Sequence, residues 1–156
     1  MDPVRTQSAP FRHYLRVRYH ETDQQGIVYH ARYLEYLDVA MTEYFRFLGW
    51  DYLALVAEGC DPSLVTTTLE FHQPARVEEE ISISVHPIRV GLSSFTLSFE
   101  ICRCTDSQRL LSASTAYVNL DPKIGKSRPL PQRVREKLLE VCLPVAVSDP
   151  ALPDPR

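Results

Sequence analysis

The chain is short, mildly acidic and rich in apolar residues. It has 156 residues, of which 44% are hydrophobic, and a formal net charge of −3. This size and apolar content fit one globular domain with one core. Lys and Arg total 17 and form no long run, so the sequence lacks the basic footprint of a nucleic-acid-binding protein. No apolar run reaches the roughly 20 residues that span a bilayer, and the first residues lack the apolar core of a signal peptide. We therefore expect no membrane span and a cytoplasmic location.

The two ends of the sequence have the composition of tails. The last stretch, LPVAVSDPALPDPR, carries four prolines, which exclude a continuous helix and favour an extended end. We predict a flexible N-terminal segment at 1–10, a single domain at 11–143 and a Pro-rich tail at 144–156.

The first half of the domain predicts one strand and two helices. The segment FRHYLRVRY, residues 11–19, is the predicted strand. Apolar residues then recur at helical spacing over Arg32–Leu48, and Gly49 supplies a stop. A shorter helix follows in DYLALVAEG, with Asp51 as its N-cap and Gly59 at its end. The predicted buried face of the long helix comprises Leu34, Leu37, Met41, Tyr44, Phe45 and Leu48. Further apolar residues widen this face, which is typical of a helix wrapped by other structure.

The second half of the domain alternates with period two, which predicts four strands. They centre on residues 65–71, 81–85, 95–101 and 110–120, and Pro74 and Pro87 close the first and second of them. One long helix with about five antiparallel strands is an α+β fold.

The four cysteines are Cys60, Cys102, Cys104 and Cys142. We expect reduced thiols, because a chain with this apolar content and no export signal needs no disulfides. Cys102 and Cys104 would share one face of a strand, whereas a zinc site usually needs paired knuckles of wider spacing. The sequence therefore predicts no metal site.

The loop before the long helix contains Asp23, with no serine or cysteine beside it. The residues just ahead of the helix are Val28, Tyr29, His30 and Ala31, none of them a favoured capping type. The first N–H groups of the helix therefore lack a local acceptor. Such donors can polarise a ligand carbonyl and hold the oxyanion formed when it is attacked. A nearby carboxylate can act as general base or nucleophile. The alternative is that Asp23 caps a turn in its own loop and is solvated.

Three segments carry a resemblance to a known family. YHETDQQGIVYHARYLEYLDVAMTEYFRFLG, residues 19–49, resembles the signature of the 4-hydroxybenzoyl-CoA thioesterase family of the hot-dog fold, especially its short-chain acyl-CoA thioester hydrolase branch. FHQPARVEEEISISV and GKSRPLP are similar to two later segments of that family. The resemblance implies a five-stranded antiparallel sheet wrapped around one long helix, with subunits joined edge to edge as a homodimer or homotetramer. It also implies active sites at the dimer interface and cleavage of an acyl-CoA to acid and CoA, without metal or redox cofactor.

The resemblance also implies roles for individual residues. The family's catalytic Asp falls on Asp23, the tyrosine four residues earlier on Tyr19, and the histidine seven residues later on His30. The backbone N–H of His30 corresponds to the donor to the thioester carbonyl. Glu43 is a second candidate, because other hot-dog thioesterases use a helix carboxylate as catalyst.

The departures from the family concern the entrance of the site. Gln24 and Gln25 stand where many relatives have small residues, and Arg32 stands where they have Asn. The branch suggests short aliphatic or small aromatic acyl groups, and these departures leave the choice of substrate open.

Basic residues near the predicted turns are candidates for the phosphates of CoA. Arg89 precedes GLSS, and Lys126 and Arg128 lie in KIGKSRP, where charge-assisted hydrogen bonds to phosphate are expected. An acyl carrier protein is an alternative acyl donor. Two other functions stay open, namely a non-catalytic acyl-CoA-binding module and a hydratase acting on an unsaturated acyl-CoA. Release of free thiol distinguishes the thioesterase from both.

Overall fold

The structure, a computed structural model, describes residues 10–142. Its longest helix, α1 (Arg32–Leu48), has the predicted bounds and ends at Gly49, whose φ of 114° suits glycine. The buried face lies beside the predicted one, because Leu34 is 42% exposed. The apolar stripe of α1 is wide enough for either of two neighbouring faces to be buried, and the face richer in aromatic residues is the buried one. The buried side chains of α1 are Tyr33, Tyr36, Leu37, Ala40, Tyr44, Phe45 and Leu48.

A curled antiparallel sheet packs against α1. Its strands are β1 (Arg12–Arg16), β2 (Pro62–Phe71), β3 (Glu80–Val90), β4 (Ser94–Arg103) and β5 (Arg109–Asp121). They are ordered β1-β3-β4-β5-β2, and a two-residue β6 (Lys126–Ser127) pairs with β5. The Phe95 ring meets Phe45 of α1 edge-on and stacks on Tyr117, at centroid distances of 5.7 and 5.3 Å. The predicted fold, a five-stranded antiparallel sheet wrapped around one long helix, is confirmed, with the short β6 as an addition.

Two strands differ from their predicted limits. Strand β3 does not end at Pro87, because its pairing with β4 continues to Val90 across a register shift between Pro87 and Arg89. Such a bulge accommodates a residue that has no N–H to donate. Strand β1 is shorter than 11–19, because a 3-10 helix occupies Tyr19–Glu21.

Two short helices complete the described chain. Helix α2 (Tyr52–Glu58) begins as predicted, because the Asp51 carboxylate accepts a 2.8 Å hydrogen bond from the Ala54 N–H. Helix α3 (Gln132–Glu140) was not predicted. It buries only Val134 and Leu138, four positions apart on one face, and this short apolar signal is diluted by charged neighbours.

Several expectations concern the limits and the composition of the domain. Residues 1–9, the domain limit at 143 and the tail at 144–156 lie outside the described residues, so these boundaries stay predictions. The cysteines predicted to be reduced, Cys60, Cys102, Cys104 and Cys142, are free thiols. Within residues 10–142, no helix is long and apolar enough to cross a membrane. In the same range, no group of three or more His, Cys, Asp or Glu side chains is placed to hold a metal ion.

Candidate active site

Asp23 lies in a tight reversal of residues 22–28, called the Asp23 hairpin below. The Asp23 N–H donates to the Ile27 carbonyl, and the Gly26 N–H donates to the Asp23 carbonyl, both at 2.9 Å. The first and last residues of the hairpin form an antiparallel bridge. Gly26 has a φ of 72°, where most side chains are strained. The hairpin therefore depends on glycine at this position and holds Asp23 by its backbone.

The Asp23 carboxylate is half-buried, and one of its two oxygens has a partner. Oδ1 accepts a 2.8 Å hydrogen bond from the Gln25 N–H, which is the contact expected if Asp23 caps its own turn. Among the hydrogen bonds of residues 10–142, none ends at Asp23 Oδ2. The turn contact thus orients the side chain and leaves the second oxygen for water or a ligand.

The Pro-Ala-Arg turn between β2 and β3 holds the hairpin in place. The Val28 N–H donates to the Ala75 carbonyl at 2.9 Å, and Ile27 forms a bridge with Arg76. The buried Ala75 N–H in turn donates to the Tyr33 hydroxyl on α1 at 3.3 Å. The FHQPAR segment therefore connects the hairpin, the sheet and the helix.

Glu21 was not among the predicted site residues, yet it is the buried carboxylate of this region, with 1% of its surface exposed. It accepts hydrogen bonds from the Arg18 N–H at 2.8 Å and from the Tyr36 hydroxyl at 2.7 Å. The Arg18 guanidinium adds two more, at 2.8 and 2.7 Å. Burial by itself would raise the pKa of Glu21, but these hydrogen bonds together hold that pKa below its ordinary value. Its only signal in the sequence is the arginine three residues earlier.

Helix α1 begins without a side-chain cap, as predicted. Ala31 occupies the N-cap position and supplies no side-chain acceptor, while the Arg32 N–H turns back to the Tyr29 carbonyl at 2.8 Å. Within residues 10–142, no hydrogen bond starts from the His30 N–H. The His30 imidazole is exposed and lies against the Tyr29 ring, with centroids 4.5 Å apart. The backbone donor predicted at His30 is therefore open to a ligand.

Tyr19 and Glu43, the other two catalytic candidates, are less well placed. The Tyr19 side chain is 85% exposed in the 3-10 helix. Only its carbonyl contacts the hairpin, accepting from the N–H and the hydroxyl of Thr22 at 3.2 and 2.8 Å. Glu43 on α1 forms an ion pair with Arg46 at 3.3 Å. The fold thus gives neither side chain a contact with Asp23.

Arg89 lies far from Asp23 within one chain. The loop that carries Asp23 follows β1, whose last residue, Arg16, pairs with Glu80 at the start of β3. Arg89 is in β3 near its other end, rather than in a loop as predicted. At the rise of a strand, these two ends of β3 are about 30 Å apart.

Lys126 and Arg128 lie at the same end as Arg89. The Arg128 N–H donates to the Asn119 carbonyl at 2.9 Å, and the Asn119 N–H donates to Ser93, in the β3–β4 turn, at 2.8 Å. Lys126 is exposed on β6. One chain therefore brings the three predicted phosphate-binding residues to one end of the sheet, but does not bring them to Asp23.

The edge strand β2 exposes apolar side chains. Among the described residues it pairs only with β5, and Leu64, Val65 and Phe71 are 56%, 49% and 54% exposed. A register shift between Leu64 and Thr66 interrupts the regular alternation of the strand at Val65. An open, apolar strand edge is a place where another strand can add.

A serine–histidine contact elsewhere does not form a catalytic triad. His72 Nε2 lies 2.8 Å from Ser112 Oγ, but the Glu70 carboxylate approaches the serine at 3.5 Å. In a triad the acid instead orients the imidazole. Ser112 also lies between the core residues Leu111 and Ala113 on β5, so its side chain points to the outer face of the sheet.

A curled antiparallel sheet packed against one long helix is the hot-dog fold. The sequence pattern of the thioesterase-like superfamily matches residues 17–138, and the chain belongs to that superfamily. The acyl-CoA thioester hydrolase YbgC of Escherichia coli O6:H1 is 31% identical over 124 residues, which cover 80% of this chain and 92% of that protein. The acyl-CoA thioesterase YbgC of Haemophilus influenzae is 29% identical over 117 residues, or 74% and 83% of the two chains.

The solved structures give the same fold. Slr0204, a 1,4-dihydroxy-2-naphthoyl-CoA thioesterase from Synechocystis, matches with a TM-score of 0.76 at 21% identity, covering 85% of this chain and 97% of that chain. The resemblance to hot-dog thioesterases that the sequence predicted is confirmed, and the enzyme is a thioester hydrolase.

Proposed function

We propose that this enzyme hydrolyses an acyl-CoA to the free acid and CoA, with Asp23 and the start of α1 as its catalytic elements. One observation carries the proposal: Asp23 Oδ2 and the His30 N–H both lack partners within residues 10–142, and His30 lies only two residues after the Asp23 hairpin. The two YbgC relatives are named as hydrolases of acyl-CoA thioesters, which supports acyl-CoA as the substrate class.

The start of α1 binds the carbonyl oxygen of the thioester. The carbonyl oxygen accepts a hydrogen bond from the His30 N–H at the positive end of the helix, which makes the carbonyl carbon more electrophilic. The same donor stabilises the oxyanion after attack. Because the donor is a backbone group fixed by the fold, it needs no rearrangement during the reaction.

Asp23 takes part in the hydrolysis either as a general base or as a nucleophile. As general base, it takes a proton from the attacking water, and the tetrahedral intermediate then expels the CoA thiolate, which receives that proton. As nucleophile, it displaces the CoA thiolate to form a mixed anhydride. Water then cleaves the anhydride to the acid and the aspartate, and the proton that this hydrolysis releases converts the thiolate to CoA. Either route uses Oδ2, because Oδ1 holds the turn.

The complete site needs a second copy of the chain. When the β2 edges of two protomers pair antiparallel around a two-fold axis, the two sheets become one continuous sheet. The start of β2 in one protomer then lies beside the end of β2 in the other. The end that carries Arg89, Lys126 and Arg128 in one protomer then lies beside the Asp23 end of the other. This supports a homodimer in which the phosphates of CoA bind basic residues of one subunit and the thioester meets Asp23 of the other. Dimers can pair further into a tetramer.

The substrate preference we propose is a short aliphatic or small aromatic acyl group. Phe71 is half-exposed at the end of β2, and its ring meets Tyr33, in the first turn of α1, at a centroid distance of 5.6 Å. An aromatic wall near the helix start favours a small flat or apolar group. Acyl carrier protein is the alternative donor of the same acyl group.

Thiol release by the full chain tests this function. A panel of aliphatic and aromatic acyl-CoAs is incubated with the enzyme and a thiol reagent, and the protein's own cysteines are blocked or subtracted. We expect catalytic release of CoA that is fastest for short or small aromatic acyl groups. Turnover confined to chains of about sixteen carbons would contradict the preference, since each methylene contributes about 0.8 kcal/mol in an apolar pocket. Tight binding without thiol release would indicate a binding module, and hydration of an unsaturated acyl-CoA would indicate a hydratase.

A further inference from the structure

We propose that Glu21 is a positioning residue that fixes the Asp23 hairpin against the start of α1 through its hydrogen bond to Tyr36. This inference rests on the proposed function and adds a residue to its machinery. Glu21 does not meet the substrate in this proposal. It acts through the geometry of Asp23 and of the His30 N–H.

The side chain of Glu21 ties the segment before the hairpin to the helix. Its Oε2 receives both the Tyr36 hydroxyl and the Arg18 N–H, at 2.7 and 2.8 Å. Tyr36 itself is only 3% exposed, so its hydroxyl has little contact with bulk solvent. The bond therefore joins α1 directly to the residue two positions before Asp23.

The backbone of Glu21 contacts the segment that carries the proposed carbonyl donor, the His30 N–H. Its carbonyl accepts a 2.9 Å hydrogen bond from the Tyr29 N–H, and Tyr29 immediately precedes His30. The side chain of Glu21 thus contacts α1, and its carbonyl contacts the segment that leads into α1. Both proposed catalytic elements are placed relative to this one residue.

A buried ionised carboxylate is costly unless every contact is satisfied. Two apolar side chains could fill the same space without that cost, so packing alone does not explain the Glu21–Tyr36 pair. Hydrogen bonds to a charged group are directional and fix distances closely. Such precision matters for catalysis, because a displacement of about 1 Å can cost about 10²-fold in rate.

The variant Tyr36→Phe removes the donor and keeps the ring. The matched control is Tyr44→Phe on the same helix, because the Tyr44 hydroxyl is also buried but has no hydrogen-bond partner among the described residues. Glu21→Gln keeps the shape of the acid and removes its charge. Amide hydrogen exchange at Asp23, Gly26 and Val28 reports the hairpin, and kcat and KM are measured well below the melting temperature of each variant.

We expect Tyr36→Phe to speed exchange in the hairpin by about tenfold, the effect of losing one hydrogen bond to a charged group, while amides of β4 keep their rates. We expect kcat to fall by about tenfold with KM within about twofold. The double variant Glu21→Gln, Tyr36→Phe should lose less than the product of the single losses, since Tyr36→Phe removes the hydrogen bond that Glu21→Gln weakens. Tyr44→Phe should keep both values.

Unchanged hairpin exchange in Tyr36→Phe and Glu21→Gln would overturn the proposal. Faster exchange with an unchanged kcat, in an enzyme that Asp23→Asn inactivates, would also overturn it, because the hairpin would then need no fixed position. If the wild type fails to hydrolyse acyl-CoA, the proposed function fails instead. The exchange rates then decide the role of Glu21 by themselves.

Discussion

The Tyr36 hydroxyl donates a 2.7 Å hydrogen bond to the buried Glu21 carboxylate. This contact joins the central helix to the chain segment that enters the Asp23 hairpin, so the packing of α1 and the geometry of the candidate site depend on each other. A change in the core near Tyr36 should therefore affect activity as well as stability.

The ionised state of Glu21 predicts a loss of stability in acid. Its pKa in the folded enzyme lies below the ordinary value of 4.5, so its contribution to the free energy of unfolding is present above that value and is lost as the pH falls through the folded pKa. We expect the melting temperature of the wild type to fall more steeply below about pH 4.5 than that of Glu21→Gln. Thermal melts of the two proteins from pH 3 to 7 measure this. Parallel curves would mean that Glu21 titrates alike in the folded and unfolded chain.

The positive φ of Gly26 predicts how substitutions there affect the stability of the protein. A methyl group there meets open space, so Gly26→Ala should cost only the strain of the left-handed conformation, about 1 kcal/mol. Gly26→Asn should cost less, because Asn tolerates this conformation. Urea unfolding of both variants gives the two values. A larger loss for Asn than for Ala would show that space, rather than φ, is the constraint at this position.

The open edge of β2 predicts self-association. We expect the wild type to be at least a dimer by light scattering, and Val65→Lys to favour the monomer, because a charge at an edge opposes strand addition. Leu53→Lys is the control, since Leu53 is an equally replaceable exposed residue on α2. The monomeric variant should also lose most acyl-CoA hydrolysis. A monomeric wild type with full activity would refute the shared site.

His30 separates a backbone role from a side-chain role. We expect His30→Ala to lower kcat less than loss of the acid does, because the proposed carbonyl donor is the N–H, which alanine retains. Steady-state kinetics of His30→Ala measures this. A loss of about 10²-fold or more, typical of a missing acid or base, would mean that the imidazole itself takes part in the chemistry.

Local signals in the sequence were sufficient for much of the fold. The helical period and Gly49 gave both bounds of α1, and Asp51 and Gly59 gave those of α2, because caps act through their nearest neighbours. The missing cap before α1 was equally visible. Helix α3 was not predicted, because a few apolar residues among charged ones give little periodic signal.

Tertiary relationships were not visible in the sequence. Glu21 is buried because the 3-10 helix packs against α1, and its only local signal is the arginine three residues earlier, which a solvated acid can also have. The bulge that carries β3 past Pro87 depends on its pairing with β4. The separation of Arg89 from Asp23 follows from strand order, which no single segment encodes.

The catalytic role of Asp23 is measured by the kcat of Asp23→Asn compared with that of Asp51→Asn. Asp23 and Asp51 each accept a 2.8 Å hydrogen bond from a backbone N–H two or three residues later in the chain. The side-chain oxygen of Asn can accept the same bond, so both variants keep the turn contact and only Asp23→Asn loses the proposed base or nucleophile. We expect Asp23→Asn to lower kcat by at least about 10²-fold, the scale of a lost general base, with substrate binding and melting temperature nearly unchanged, and Asp51→Asn to keep kcat. Near-full kcat in Asp23→Asn would show that Asp23 only caps its turn, and would make Glu43 the next carboxylate to test.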